Sequence, residues 1–247
     1  MKKLMTIAAV ALCTAAIADS GNSITSSSIV GYKAENLQDG FTMMTPCFVP
    51  VSDAKGGIDL TSLTPGGEYS SGDVMVQTLT AAGLADKSYT YKKPRTGTTW
   101  FWQDVDTNET IANGDVVFDS GDGLWVYGVN ASSLTSSGAV STDDITVSLQ
   151  DGFTATGNMT PVNLDLTAIV PSGDYASGDI MIQTLTATGL ADKSYTFKKP
   201  RTGTTWFWQD VDTNETIVEG DVIFAPGAGL WVYGVKGSAI TIPAPTL

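Results

Sequence analysis

The chain repeats one segment that concentrates side chains suited to binding chemistry. The twenty letters KKPRTGTTWFWQDVDTNETI run from Lys92 to Ile111 and return unchanged from Lys198 to Ile217. Each copy carries two tryptophans and three bases, which can stack on a flat ligand and attract an anionic one. The candidate partner- or glycan-binding residues are Trp100, Trp102, Lys92, Lys93, Arg95, Trp206, Trp208, Lys198, Lys199 and Arg201.

Two interpretations of the tryptophans stay open. On an extended strand Trp100 and Trp102 point to the same face, because successive side chains alternate. In the first interpretation the strand lies in a β-sandwich, with one aromatic face in the core and the other covered by a neighbouring domain or loop. In the second, the tryptophan face, with Lys92, Arg95 and Tyr89 close by, is an exposed platform for sugar rings. The first is favoured, because aromatic pairs on strands are common in cores.

The bases also allow two roles. Eight of the eleven Lys and Arg residues after position 18 lie in the stretches Lys87 to Arg95 and Lys193 to Arg201. They can neutralise nearby acids such as Asp104 and Asp106. Alternatively, the basic hairpin of one subunit can meet the acidic surface of another and direct head-to-tail association.

The segment DVDTNETIANGD resembles a calcium-binding loop in its spacing. Asp104, Asp106 and Asn108 stand at alternate positions, and Asp115 stands twelfth. The sixth position holds Glu109 where such a loop needs glycine for its bend, and the preceding WFWQ is a strand pattern. These residues are therefore weak metal candidates. A plain turn at 106–109 is the prediction, and no metal or cofactor is expected.

The composition argues against an enzyme. The chain contains no histidine, which excludes the commonest general base, the Ser-His-Asp arrangement and ordinary zinc sites. Cys47 has no histidine partner, and no pair of carboxylates stands in an apolar context that would raise one pKa. An active site is usually single, whereas the informative residues occur twice. Duplication favours binding or assembly, where two weak contacts multiply.

The first residues predict export. Residues 1–18 have a basic start, an apolar run and Ala16-Ile17-Ala18, the pattern of a signal-peptidase site. A lipoprotein modified at Cys13 is the alternative, although Leu12 is large where that site needs a small residue. Cleavage takes the formal charge from −13 to −15, because two of 13 bases and none of 26 acids are lost. Such a surface repels nucleic acid and anionic lipid.

The rest of the mature chain predicts neither a membrane span nor an internal disulfide. No apolar run after the signal approaches the roughly 20 residues of a membrane helix. Cys47 is the one mature cysteine. Its thiol is either buried or available for an intermolecular bond, and burial is the favoured reading.

The chain is a tandem duplication. At an offset of 106 positions, Tyr69 to Asn130 aligns with Tyr175 to Lys236. The predicted organisation is a signal peptide at 1–18, a first β-domain at 29–130, a last strand and linker at 131–144, and a second β-domain at 145–247. The fold class is all-β, with two tandem, duplicated β-sandwich or barrel-like domains.

Short alternating runs rich in Val, Ile, Thr and aromatics predict strands. In copy one these runs are 29–33, 40–45, 74–80, 88–93, 98–105, 115–118 and 124–129. One segment, 78–86, has the composition of at most a turn of helix. Positions that differ by one methylene between the copies are predicted to face inward: Val74/Ile180, Val76/Ile182 and Val117/Ile223. The closing strands GLWVYG should bury at least one face.

Two motifs resemble a poorly characterised group of exported bacterial β-repeat surface proteins. The opening stretch SSSIVGYKAENLQDGF spans Ser26 to Phe41, and the copies end in GDGLWVYG and GAGLWVYG. The resemblance implies a surface location and a β-fold, and it implies no catalytic residues. The second copy departs from it, because it lacks the Val-Gly-Tyr opening.

These observations predict an exported, non-enzymatic structural or adhesive protein that self-associates or binds another surface partner. It is expected to be secreted or held at the cell surface. The alternative is a carbohydrate-binding module that uses the duplicated tryptophan strand, with polysaccharide as the partner.

Overall fold

The computed structural model describes residues 30–48 and 57–245. The predictions for the signal peptide and for Cys13 lie outside these residues. Within them the chain is all-β, as predicted, with two short 3-10 turns and no α-helix. The described ranges contain no helix with the length and hydropathy that a bilayer crossing requires.

The same series of strands occurs twice. In the first copy the strands are β1 (Val30–Asn36), β2 (Gly40–Met44), β3 (Gly57–Asp59), β4 (Thr64–Gly67), β5 (Met75–Leu79), β6 (Ala85–Lys92), β7 (Phe101–Asp104), β8 (Val117–Asp119), β9 (Leu124–Gly128) and β10 (Ser132–Ala139). In the second they are β11 (Ile145–Ser148), β12 (Gly152–Gly157), β13 (Leu164–Asp165), β14 (Val170–Gly173), β15 (Met181–Leu185), β16 (Ala191–Lys198), β17 (Phe207–Asp210), β18 (Ile223–Phe224), β19 (Gly229–Gly234) and β20 (Ser238–Ile242).

Each copy folds as a sandwich of open sheets. In copy one a five-stranded sheet runs β2-β9-β5-β6-β7, a three-stranded sheet runs β1-β10-β4, and β3 pairs with β8. Copy two repeats these orders as β12-β19-β15-β16-β17, β11-β20-β14 and β13-β18. The pairings between named strands are antiparallel. No sheet in the described part closes on itself.

The core of each copy lies between these layers. In copy one, Val76, Trp102, Leu124 and Val126 of the five-stranded sheet pack in one buried cluster with Leu134 of β10. Copy two repeats the arrangement with Ile182, Trp208, Leu230, Val232 and Ile240. Burial of this many large apolar side chains is the main stabilising contribution to such a fold.

The predicted strands agree with the structure better than the positions that were predicted to face the core. Each predicted run of copy one overlaps a strand, whereas β3 and the Pro- and Gly-containing β4 were not predicted, because such short edge segments lack alternation. The segment 78–86 forms the end of β5, a turn and the start of β6. Inward positions are confirmed at Val74, Val76, Ile180 and Ile182, each 0% exposed.

The inward prediction for Val117 and Ile223 is wrong. Ile223 is 47% exposed, whereas the next residue, Phe224, is 5% exposed. Val117 is half-buried and precedes the buried Phe118. Successive strand residues point to opposite faces, so burial of the phenylalanine turns its neighbour outward.

The two copies contact each other through equivalent residues. The amide of Phe41 donates to the carbonyl of Ala187 at 3.1 Å, and the amide of Phe153 donates to the carbonyl of Ala81 at 3.0 Å. Phe41 and Phe153 occupy matching positions on the edge strands β2 and β12. The contact is therefore reciprocal, as across a twofold axis. It also covers strand edges that would otherwise expose hydrogen-bonding groups.

Aromatic side chains fill this contact surface, which we call the seam. Trp125 and Trp231 are 8% and 6% exposed and share a buried cluster with Met43. Phe41 stacks on Trp125 with ring centroids 5.1 Å apart, and Phe153 stacks on Trp231 at 5.0 Å. At their tryptophans the closing strands β9 and β19 are therefore buried on both faces, one in the core of their own copy and one in the seam, whereas Tyr233 is 37% exposed.

Glycines at the start of the closing strands permit this close approach. A Cβ atom on Gly123 would lie 2.5 Å from the amide nitrogen of Thr156. A Cβ atom on Gly229 would lie 2.6 Å from the amide nitrogen of Met44. Neither glycine has a positive φ, so the nearness of the opposite copy, rather than backbone conformation, requires glycine at both positions.

Cys47 is buried beside the seam. Its side chain is 1% exposed and packs with Phe48 and Val140. The favoured prediction of a buried thiol is therefore confirmed. Burial raises the pKa of the Cys47 thiol to about 11, and the nearby Lys33 ammonium offsets only part of that rise.

Candidate binding surface

The repeated segment forms a hairpin in each copy. Strands β6 and β7 pair antiparallel, with Lys92 opposite Phe101, and β16 and β17 pair in the same register. The reversal spans residues 93–100, so the second strand begins later than the predicted Thr98. Gly97 adopts φ +126°, a conformation that favours glycine. The predicted hairpin is confirmed, with a longer loop.

The second tryptophan of each hairpin is a core residue. Trp102 and Trp208 are each 2% exposed. Their indole nitrogens donate to the carbonyls of Leu63 at 3.1 Å and Ile169 at 3.2 Å. These two side chains are therefore unavailable for a glycan, and the platform interpretation is wrong for them. Tyr89, which that interpretation placed close by, is also buried, at 7% exposed.

The first tryptophan of each hairpin is half-buried at the surface. Trp100 stacks on Tyr91, with ring centroids 5.3 Å apart and an interplanar angle of 9°, and meets Tyr69 edge-on at 5.1 Å. The ammonium of Lys93 lies over the Trp100 ring, 6.0 Å from its centroid. This geometry permits a cation–π attraction. Tyr69 was not predicted from the sequence, although its place at the start of the repeated region was a signal for it.

The second copy repeats this aromatic arrangement beside a cleft. Trp206 stacks on Phe197 at 5.3 Å, and Lys199 lies over the Trp206 ring at 5.9 Å. The cleft has a volume of about 230 Å³. Its lining is mostly apolar: Thr167, Ile169, Val170, Phe197, Trp206, Phe207, Trp208 and Ile217.

The bases of the hairpins extend into solvent. Lys93, Arg95, Lys199 and Arg201 are exposed, whereas Lys92 and Lys198 are half-buried. The ion pair that the described residues contain joins Lys33 to Glu35, and none of the six hairpin bases has a carboxylate of these residues within 4.0 Å. The suggested neutralisation is therefore not made by the hairpin bases among the described residues, but Lys87, in the same stretch from Lys87 to Arg95, acts on Asp104. The backbone amide of Thr107 is the main group that lowers the pKa of Asp104, and the Lys87 ammonium adds a smaller effect.

The calcium-like segment forms a turn. The amide of Asp104 donates to the carbonyl of Glu109, and the amide of Asn108 donates to the carbonyl of Asp104, both at 3.0 Å. A carboxylate oxygen of Asp104 accepts from the amides of Asp106 and Thr107, and these bonds hold the pKa of Asp104 below its usual range. Asn108 has φ +62°. The predicted turn at 106–109 is confirmed.

The weak metal candidates do not converge. Asp115 uses its carboxylate to accept from the amide of Ala112 at 2.8 Å. In the described stretches no three His, Cys, Asp or Glu side chains group as a metal site. The carboxylates at both ends of this segment thus act as local backbone caps.

Comparison of the chain with models of protein families, with curated proteins and with solved structures found no match. The resemblance to exported β-repeat surface proteins stays an expectation from the sequence. The hairpin geometry therefore carries the functional argument.

Proposed function

We propose that this chain is an exported, non-enzymatic structural or adhesive protein that self-associates or binds a surface partner through its two basic hairpins. One observation carries the proposal. Lys93 and Arg95 of copy one, like Lys199 and Arg201 of copy two, project into solvent without a carboxylate partner among the described residues. On a chain of formal charge −13, such local positive surfaces attract an anionic group on a partner.

Duplication favours binding over catalysis. The seam joins the two sandwiches through reciprocal hydrogen bonds and a buried aromatic cluster, so one chain presents two equivalent hairpins. A polymeric or surface-bound partner can engage both, and the second contact then forms at high effective concentration. The absence of histidine from the chain removes the usual general base for a hydrolytic alternative.

A retention assay tests this proposal. The tip-neutral variant K93Q/R95Q/K199Q/R201Q is compared with wild type for retention on immobilised wild-type protein and on the envelope of the exporting cell. We expect about a tenfold or greater loss of retention, with unchanged melting. The control replaces the other exposed lysines of the described residues, K87Q/K193Q/K236Q. Retention of the tip-neutral variant at the wild-type level would refute the proposal.

Export is tested separately by mass spectrometry. The sequence before Asp19 predicts that the mature chain begins at that residue. An acylated chain beginning at Cys13 would instead show a lipid-anchored protein.

A carbohydrate-binding module is the second candidate function, favoured by the cleft beside Trp206. A half-buried indole backed by Phe197 can cover the apolar face of a pyranose ring. The test compares W100A/W206A with wild type for retention on insoluble polysaccharide columns. Specific retention of wild type that the variant loses, with melting little changed, would favour this candidate over adhesion through the bases.

A further inference from the structure

The hairpin of each copy carries opposite charges at its two ends. We call residues 92–99 and 198–205 the basic tips; each contains two lysines and one arginine and no acid. At the other end of this two-stranded hairpin, the turn that follows β7 lies opposite the first half of β6. We call this end, with Asp86, Asp104, Asp106 and Glu109, the acidic turn; its equivalent holds Asp192, Asp210, Asp212 and Glu215.

The two ends form no ion pair with each other among the described residues. Asp104 pairs with Tyr89, three residues before Lys92, so the acidic turn begins about 10 Å along β6 from the base of the tip, at about 3.3 Å per residue. The Debye length at 0.15 M salt is about 8 Å. Each end therefore acts on its surroundings largely independently. Lys87 and Lys193 offset part of the charge of the acidic turns, and the rest is balanced by solvent ions or by another molecule.

An exposed apolar residue sits within each acidic turn. Val105 and Val211 are 43% and 42% exposed, and each stands between two aspartates. At the basic tip, the half-buried Trp100 lies under the ammonium of Lys93. Each end thus combines an apolar centre with a charged rim, which is the usual anatomy of a protein interface. The two rims have opposite signs.

We infer that the partner of the basic tip is the acidic turn of a second copy of this chain. The inference rests on the proposed function and names its partner. Lys93 and Arg95 of one chain face Asp106 and Glu109 of the next, and the apolar residues meet between them. Because the two surfaces differ, the contact is heterologous and continues from chain to chain instead of closing as a symmetric dimer.

The overall negative charge does not prevent this contact at physiological salt. At about 0.15 M the short Debye length screens charges on the far side of each molecule. The charges near the contact therefore determine whether two chains attract each other. At about 1 M, where that length is about 3 Å, the attraction between the rims is screened as well. The assembly is therefore expected at 0.15 M and lost at 1 M.

Charge reversal at each end tests the inference. The tip-reversed variant is K93E/R95E/K199E/R201E, and the turn-reversed variant is D106K/E109K/D212K/E215K. Asp104 and Asp210 are left intact, because their carboxylates accept backbone hydrogen bonds within the turn. The control for the turn-reversed variant has the same net charge and alters exposed acids elsewhere, E68K/D119K/D143K/D174K.

Sedimentation velocity over a concentration series at 0.15 M salt gives the readout, after circular dichroism and melting show that each variant folds. We expect wild type and control to associate, and each reversed variant alone to associate at least about tenfold more weakly. Mixing the two reversed variants should restore association, whereas either reversed variant alone at the same total concentration should not associate.

The outcomes separate the inference from the proposed function. If the tip-reversed variant loses envelope retention while the turn-reversed variant associates like its control, the inference is wrong and the basic tips bind another anionic partner, such as an acidic polysaccharide. If neither reversal affects association or retention, both the inference and the proposed function fail. A symmetric dimer that survives both reversals would also overturn the inference.

Discussion

The indole nitrogen of Trp102 donates a hydrogen bond to the backbone carbonyl of Leu63, at 3.1 Å. This bond links the edge strand β7 to the segment that enters β4, in the opposite layer of the sandwich. The same bond joins Trp208 to Ile169 at 3.2 Å. Each copy thus uses its hairpin to hold its two layers together, besides displaying the basic tip.

Replacing Trp102 by alanine should strongly destabilise the first copy. The change removes a large buried side chain and leaves the Leu63 carbonyl without its donor, so we expect a loss of about 3–5 kcal/mol in the free energy of unfolding. Trp100→Ala is the matched comparison on the same hairpin, and its half-buried ring should cost about 1–2 kcal/mol. Denaturant unfolding measures both. Equal losses in the two variants would contradict the assignment of Trp102 to the core.

Chelators should leave the melting temperature unchanged. The carboxylates of Asp104 and Asp115 accept backbone amides within the turn, so a cation has to displace these bonds. A ligand that binds only the folded chain would raise the melting temperature. Differential scanning calorimetry with calcium and with excess chelator checks this expectation. A shift of more than about 3 °C, worth roughly 1 kcal/mol for a chain of this size, would contradict it.

Much of the fold was predictable from the sequence because it depends on local patterns. Alternating runs predicted the strands, and the difference between Val76 and Ile182 identified a core position. The seam was not predictable, because it depends on contacts between residues far apart in the chain, such as Phe41 with Ala187. One residue in the sequence, Gly123, is required by the seam, because its lack of a side chain permits the close approach of the other copy.

The candidate site was predicted only in part. The sequence drew attention to the hairpin but could not separate Trp100 from Trp102, since both fall on one face of an extended strand. The structure separates them because β7 begins at Phe101, which leaves Trp100 in the loop. From the sequence, residues of the acidic turn were considered only as weak metal ligands, and the exposure of Val105 was not predicted.

Stability should fall above pH 9 because of Cys47. Burial raises the pKa of its thiol from 9.0 to about 11 in the folded chain. The folded state therefore keeps the proton that the unfolded state releases, so the contribution is fully present below pH 9 and is lost as the pH rises towards 11. The expected loss is about 2–3 kcal/mol, from about 1.4 kcal/mol for each pKa unit.

Comparison of wild type with Cys47→Ala isolates this effect. Unfolding by denaturant is measured from pH 8 to 11 in the presence of a reducing agent. The tyrosines whose pKa values burial raises, such as Tyr89, titrate in both proteins and cancel in the difference. The variant should lose less stability over this range than wild type. Parallel curves for the two proteins would show that the thiolate is as well solvated in the folded chain as in the unfolded one.

Gly123→Ala should open the seam. The added methyl group would lie 2.5 Å from the amide nitrogen of Thr156, a backbone atom that cannot move without shifting β12. Overpacking of this kind typically costs about 1–3 kcal/mol. Because Gly123 contacts the opposite copy, the strain should separate the sandwiches before either unfolds. The linker between β10 and β11, residues 140–144, should then become open to proteases.

Gly178→Ala is the matched control for this seam test. Gly178 has φ +96° and no neighbour within 4 Å of an added Cβ, so its replacement strains the backbone by about 1–2 kcal/mol without touching the seam. Both variants should melt below wild type, but only Gly123→Ala should be cleaved in the linker under native conditions. If the linker of Gly123→Ala resists cleavage as well as that of Gly178→Ala, the closing-strand glycine does not hold the copies together. The reciprocal contacts of Phe41 and Phe153 would then be sufficient without it.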